Sequence, residues 1–297
     1  MLAAAIFFVS TVVAILAVTG ALHLAPRVSR GLSDWLCKAP GLDLVVYTLT
    51  VFPQIAGLIV GFAVGGWLGA LGYLALAVVA QCSAMVVWMR VHELAHPEAM
   101  KGPRIKKVLN ARVGPVRNTV AVWWTAWAVP VFALIRLAEW LVYPPLIWLT
   151  NFPRYNAADW IAVSRQKHEH LVGADRIWCL YCDWMTGVWS LGSEMLRNVE
   201  SFWCPIRYAS PEKCANCSID FPDIEGGWTP HDGDMAGVAK TLEAHYPGPD
   251  GVNGWFAHPS RKAAEITVNG KQLEQVNPDA VTDRASPSSQ TSVPSSR

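Results

Sequence analysis

Residues 44–89 read LVVYTLTVFPQIAGLIVGFAVGGWLGALGYLALAVVAQCSAMVVWM, 46 positions without a charged side chain, bounded by Asp43 and Arg90. A helix needs roughly 20 apolar residues to cross about 30 Å of hydrocarbon, so this stretch is long enough to cross twice. Gly65-Gly66 lies near its middle, where a tight turn would fall. The pattern predicts a helical hairpin with arms at 44–65 and 67–89. Both flanks are basic: Arg27, Arg30 and Lys38 come before, and Arg90, Lys101, Arg104, Lys106, Lys107, Arg112 and Arg117 come after. A hairpin returns both flanks to one side, and the excess of Lys and Arg assigns that side to the cytoplasm.

Moving outward, residues 2–24 form another uncharged run of 23 residues. A secretory signal would carry a basic leading region and a short apolar core, and this run has neither. It is expected to be a transmembrane helix that starts outside. Residues 119–150 are apolar too, but they hold Arg136 and Glu139 and are interrupted by Pro130, Pro144 and Pro145. A span ending before Arg136 would have only 17 residues, the short limit for a crossing. Five tryptophans (Trp123, Trp124, Trp127, Trp140 and Trp148) suit the headgroup layer. Residues 119–153 are therefore expected to form an interfacial or re-entrant element. A further crossing would also carry the downstream cysteines into an oxidising compartment.

Composition agrees. Of the 297 residues 52% are hydrophobic and 16% charged, against roughly a quarter charged in an ordinary soluble domain. A net charge of +1 argues against a nucleic-acid partner, which would call for a basic face. The expected fold is mainly α: about three transmembrane helices (2–24, 44–65, 67–89) within a membrane region 1–118, then the Trp-rich element. A mostly helical cytoplasmic Cys-rich region follows over 154–279, and a Ser-, Pro- and Thr-rich tail over 280–297 is expected to be disordered. Within 154–279, residues 160–203 are helical in composition with Gly173, Gly187 and Gly192 as weak points. Residues 221–230 are turn-rich, and 235–245 suit a short helix.

Five of the seven cysteines cluster: Cys179-Leu-Tyr-Cys182, Cys204-Pro205, and Cys214-Ala-Asn-Cys217. Two C-x2-C pairs suit a tetrahedral ion, since each chelates from one turn and the second closes the site. On a helix the spacing of three puts Cys179 and Cys182 on one face. The 31 residues between the pairs exceed the usual spacing of zinc knuckles. Cys204 before a proline matches the last ligand of bacterial ferredoxin runs, although their tight core is missing. The expectation is a metal centre, zinc or an iron–sulfur cluster, held by Cys179, Cys182, Cys214 and Cys217, with Cys204 a fifth ligand or reactive thiol. A dithiol relay between the pairs is the other chemistry this spacing permits.

His92-Glu93-Leu94-Ala95-His96 is an H-E-x-x-H motif, with both imidazoles on one helical face and Glu93 placed as a base. Pro97 ends the helix at once, and no third ligand is apparent. The motif also resembles the first His box of membrane di-iron hydroxylases and desaturases, including the alkane hydroxylase family, whose boxes lie at cytoplasmic ends of transmembrane helices. His168-Glu169-His170-Leu-Val-Gly173 is partly similar to their second box, though Ala174-Asp175 stand where the final His pair would be, and there is no third box. The resemblance covers fewer than 15 residues; it implies an iron site with His92, His96, His168 and His170 among its ligands. Taken together, the sequence leads to a multi-pass protein of the cytoplasmic membrane with its C-terminal region in the cytoplasm. Its metal centre would serve a redox or catalytic role on a membrane-associated substrate, with His92, Glu93 and His96 as any separate catalytic site. The competing expectation is an accessory or assembly subunit of a membrane complex with a structural metal.

Overall fold

The computed structural model describes residues 1–165, 168, 170–207 and 227–256, with two short strands at Thr267–Val268 and Lys271–Gln272. The chain is mainly helical and divides into two units, Met1–Pro145 with Arg154–Met195, and Leu146–Pro153 with Leu196–Arg297. Among the described residues three helical stretches are long and apolar enough to cross a membrane: Leu2–Val28, Phe52–Ala95 and Pro115–Thr150.

In the first unit, α1 (Leu2–Val28) is followed by the short α2 (Arg30–Leu36), capped by the Ser29 hydroxyl, which accepts the Leu32 N–H. Next come α3 (Gly41–Thr50) and α4 (Phe52–Ala95). The expected hairpin is present inside α4. Gly65 and Gly66 leave helical geometry, and Gly66 has φ 60° and ψ −148°, a combination almost confined to glycine. Behind the turn the arms touch backbone to backbone. A Cβ on Gly61 would overlap the Gly69 carbonyl, and one on Gly57 would lie 2.7 Å from the Tyr73 oxygen. Small residues that let helices approach this closely are how packing is achieved where lipid removes the hydrophobic drive.

The arms differ from the expected limits. The outgoing arm breaks at Val51, because Pro53 has no N–H for the Leu49 carbonyl. Gln81 on the return arm replaces it, its Nε2 donating to Leu49 O at 2.8 Å and Thr50 O at 2.7 Å, while Gln54 donates to Gln81 Oε1 at 3.3 Å. The return arm continues past Met89 to Ala95, carrying His92 and Glu93 on its last turns. Phe7 meets Tyr73 and His23 meets His92, so α1 runs parallel to the return arm. The C-terminus of α1, the start of α3 and the end of α4 thus share one end of the bundle, the end that bears the basic flanks.

Helices α5 (Pro97–Lys101), α6 (Ile105–Val113), α7 (Pro115–Thr125), α8 (Ala128–Leu141) and α9 (Tyr143–Thr150) follow. The prolines mark the breaks without reversing the chain. Pro130 leaves the Ala126 carbonyl without its i+4 donor, and the Val129 N–H takes it in a tightened turn at 3.1 Å. Helix α10 runs over Gly173–Trp203, and its stretch up to Met195 lies alongside within this unit. Trp123 meets Trp178, Phe132 meets Trp189, and Gly192 packs on Ile135 and Glu139, so both chains advance in the same direction. Trp184, Val188 and Leu191 of α10 are fully buried against Leu42, Val46, Ala133 and Ile161. The glycines expected to weaken this helix do not interrupt it. Gly187 is a close-approach point, since a Cβ there would lie 2.6 Å from the Trp160 carbonyl oxygen, and Gly173, at φ +55°, opens the helix.

The second unit is tied by asparagines. Buried Asn198 accepts the Trp255 N–H at 2.8 Å, and Asn253 donates to Thr150 O at 2.7 Å and Gly248 O at 3.0 Å. Phe152 packs against Phe202 and Trp203. The short helix expected at 235–245 is α11 (Met235–His245), with Asp234 as its N-cap accepting the Gly237 N–H. Most of the turn-rich stretch 221–230 and all of the tail 280–297 lie outside the described residues.

Candidate functional site

Cys179 and Cys182 occupy the second and third turns of α10. The spacing of three places both on one face, and both line a cavity of about 300 Å³ with Lys106, Arg165, Asp175 and Trp178. Asp183, on the next position, is buried and accepts the Ser164 N–H at 2.8 Å and Arg165 Nε–H at 2.6 Å. That pair holds Arg165 at the cavity that the Cys182 thiol also lines. Burial, then the nearby Asp183 carboxylate, push the Cys179 thiol above its ordinary value. Cys204 is the residue after α10, in the second unit, and is exposed. Cys214 and Cys217 lie outside the described residues, and so does Glu169.

The H-E-x-x-H motif sits in the last turns of α4. His92 and His96 stack with ring centroids 4.3 Å apart, and Trp88 lies 4.6 Å from His92 on its other side. Nδ1 of His92 accepts the Gly173 N–H at 3.4 Å, and Nδ1 of His96 bonds the His92 carbonyl at 2.9 Å. Glu93 points elsewhere. It pairs with Arg104 at 3.7 Å and Arg90 at 3.3 Å, and Arg104 in turn donates to Asp175 and to the Val172 carbonyl. In this arrangement Glu93 anchors the start of α10, where a Cβ on Gly173 would collide with it. His23 of α1 joins the imidazoles edge-on, 6.3 Å from His92 and 6.5 Å from His96. His168 and His170 are exposed neighbours with centroids 6.1 Å apart. Among the described residues no three His, Cys, Asp or Glu side chains converge on one ion.

A third polar cluster lies at the start of α3. Arg136 donates to Asp43 Oδ2 through Nε (3.1 Å) and Nη2 (2.8 Å), and to Glu139 Oε2 through Nη1 (2.6 Å). Trp184 Nε1–H donates to Asp43 Oδ1 at 2.9 Å, and Tyr47 O–H to Ala133 O at 2.8 Å. The Arg136 and Asp43 side chains are 3% and 1% exposed. The other oxygen of Glu139 has no hydrogen-bond partner among the described residues.

Between α1, α3, both arms of α4, α7–α8 and α10 lies a second cavity of about 1010 Å³. The return arm lines it at Leu71, Leu74, Val78, Met85, Trp88 and His92, one helical face over six turns. The sequence pointed to the cysteines and to His92, His96, His168 and His170. It missed His23, whose only signal is a lone His near the end of a span, and the Asp43 partner of Arg136, signalled by an Arg and a Glu three apart in an apolar run.

Comparison with known proteins returns nothing: no family model matches the chain, and no curated protein or solved structure matches it.

Proposed function

We propose that this is a multi-pass membrane protein whose Cys179–Cys182 pair belongs to a metal centre, zinc or iron–sulfur, at the cytoplasmic surface of the bilayer. That centre has a redox or catalytic role toward a lipid-soluble substrate. The observation that carries the proposal is the pair itself: two thiols one helical turn apart, opening on one cavity beside two cationic side chains. Thiolates are the ligands both zinc and iron–sulfur clusters take, and Cys214 and Cys217 supply the complementary pair. Membrane insertion is supported by α1, where Leu2, Ile6, Val9 and Val13 are all more than half exposed, an arrangement that lipid, not water, tolerates.

Residues 119–150 lie at the interface in this reading. Their charged pair Arg136–Glu139 is held to Asp43, at the basic end of the bundle, and they run beside an amphipathic helix. Trp124, Trp127 and Trp140 remain exposed at their surface, in keeping with headgroup depth. The protein purified in detergent, with metal analysis and an optical spectrum, tests the proposal. Stoichiometric zinc, or a brown protein absorbing at about 400 nm with iron and sulfide, is expected, and Cys179→Ser should lose it. Metal-free protein that reversibly forms a disulfide would move the function to dithiol exchange.

A further inference from the structure

We infer that the large cavity of the first unit is a binding site for a long-chain amphiphile with an anionic head, its tail along the return arm of α4 and its head at Arg176, His23 and His92. This deepens the function proposed above by naming the ligand class. It rests on membrane insertion and not on the metal, so the two can fail separately.

The shape comes first. Lining positions on the return arm extend from Leu71 to His92, 21 residues of helix, or about 30 Å at 1.5 Å per residue. That is a slot as long as the hydrocarbon core of a bilayer is thick, roughly 30 Å. Its volume of about 1010 Å³ lies at the upper end of ligand sites. Along most of its length the walls are Leu, Val, Ile and Ala, with Gln54 and Gln81 already bonded to each other and to the broken turn of α3.

One end differs in chemistry. Arg176 is half-buried and lines the cavity, within electrostatic range of His92. Among the described residues no carboxylate pairs with it, and its hydrogen bond to Leu171 O is long, at 3.5 Å. Its neighbours tell the contrast: Arg104 is held by Glu93 and Asp175, Arg136 by Asp43 and Glu139, and Arg165 by Asp183. His23 and His92 add ring nitrogens at the same end, and His92 Nδ1 is already used, which leaves Nε2. A half-buried guanidinium that no carboxylate among the described residues pairs with, at one end of an apolar slot, selects an anion attached to a long apolar chain.

The test uses the full chain in a nonionic detergent and cis-parinaric acid, a fluorescent long-chain carboxylic acid. Saturable binding is expected, with its methyl ester far weaker. Arg176→Gln should weaken the acid by roughly 10- to 100-fold, the effect of losing a charge-assisted bond, and Arg176→Lys should restore most of it. Leu74→Trp, which fills the slot midway, should abolish binding while the variant keeps its melting temperature. Competition separates the sources of such a ligand: displacement by phosphatidylglycerol identifies a bilayer lipid, displacement only by single-chain acids a free substrate. The inference is overturned if the acid and its ester bind alike, if Arg176→Gln binds the acid unchanged, or if binding does not saturate. Loss of bound metal in Cys179→Ser with parinarate binding intact leaves this site standing.

Discussion

Replacing Arg136 by Met removes the cation at the centre of the buried cluster at the start of α3. Arg136 makes three hydrogen bonds of 2.6–3.1 Å to Asp43 and Glu139, and its side chain is 3% exposed. In Arg136→Met, Asp43 keeps only the Trp184 N–H and Glu139 keeps no donor in the cluster. Breaking a buried pair from one side costs about 3–5 kcal/mol, because an uncompensated charge stays behind. With roughly 2–4 °C of melting temperature per kcal/mol for a protein of this size, the midpoint should fall by about 6–20 °C. The assay is thermal unfolding in detergent at one fixed scan rate, since unfolding of such proteins is often irreversible. The triple variant Asp43→Asn, Arg136→Met, Glu139→Gln removes all three charges and should regain most of the loss, because a neutral replacement of a buried ion network is close to neutral in stability. An Arg136→Met midpoint within about 2 °C of wild type, or a triple variant melting as low as the single one, would refute the account of this cluster.

Gln81→Leu should also destabilise. It removes the donor that Gln81 gives to the Leu49 and Thr50 carbonyls, at about 1–3 kcal/mol each, and Pro53→Ala in the same chain should recover part of that by restoring an N–H for Leu49. Gly61→Leu forces apart arms whose backbones touch, and the expected outcome is loss of the wild-type peak on size-exclusion chromatography. For metal-free protein, alkylation of Cys179 should rise with pH along a curve displaced to higher pH than that of a free thiol, because burial favours the protonated form; mass spectrometry of the 179-containing peptide follows it. Asp183→Asn should shift that curve back toward the free thiol, since the carboxylate adds to the rise.

Much of the helical frame was legible from one feature, charge. Forty-six uncharged residues with two glycines at the centre define the hairpin, and the basic residues outside it end up at one end of the bundle. The spacing of Cys179 and Cys182 likewise carried through to a shared face, because α-helical periodicity needs nothing beyond the local chain. What escaped depends on partners distant in sequence. The break at Pro53 is visible as a proline, yet its repair by Gln81 requires the return arm to be in place. Arg136 and Glu139 stand out in an apolar run, but Asp43 is 93 residues away from Arg136. Gly187 and Gly192 look like helix weaknesses until a neighbouring backbone or side chain is seen where a Cβ would be. The H-E-x-x-H spacing placed two imidazoles on one helical face, where they stack, while Glu93 was drawn off by Arg104, which the motif alone could not foretell.

Metal stoichiometry across the four serine variants at 179, 182, 214 and 217 tests the central claim most directly. Wild-type chain purified without added metal should hold zinc or iron and sulfide in stoichiometric amount, and each of the four substitutions should release it. Wild-type protein without metal, or variants at 179 and 182 that retain it in full, would contradict the account.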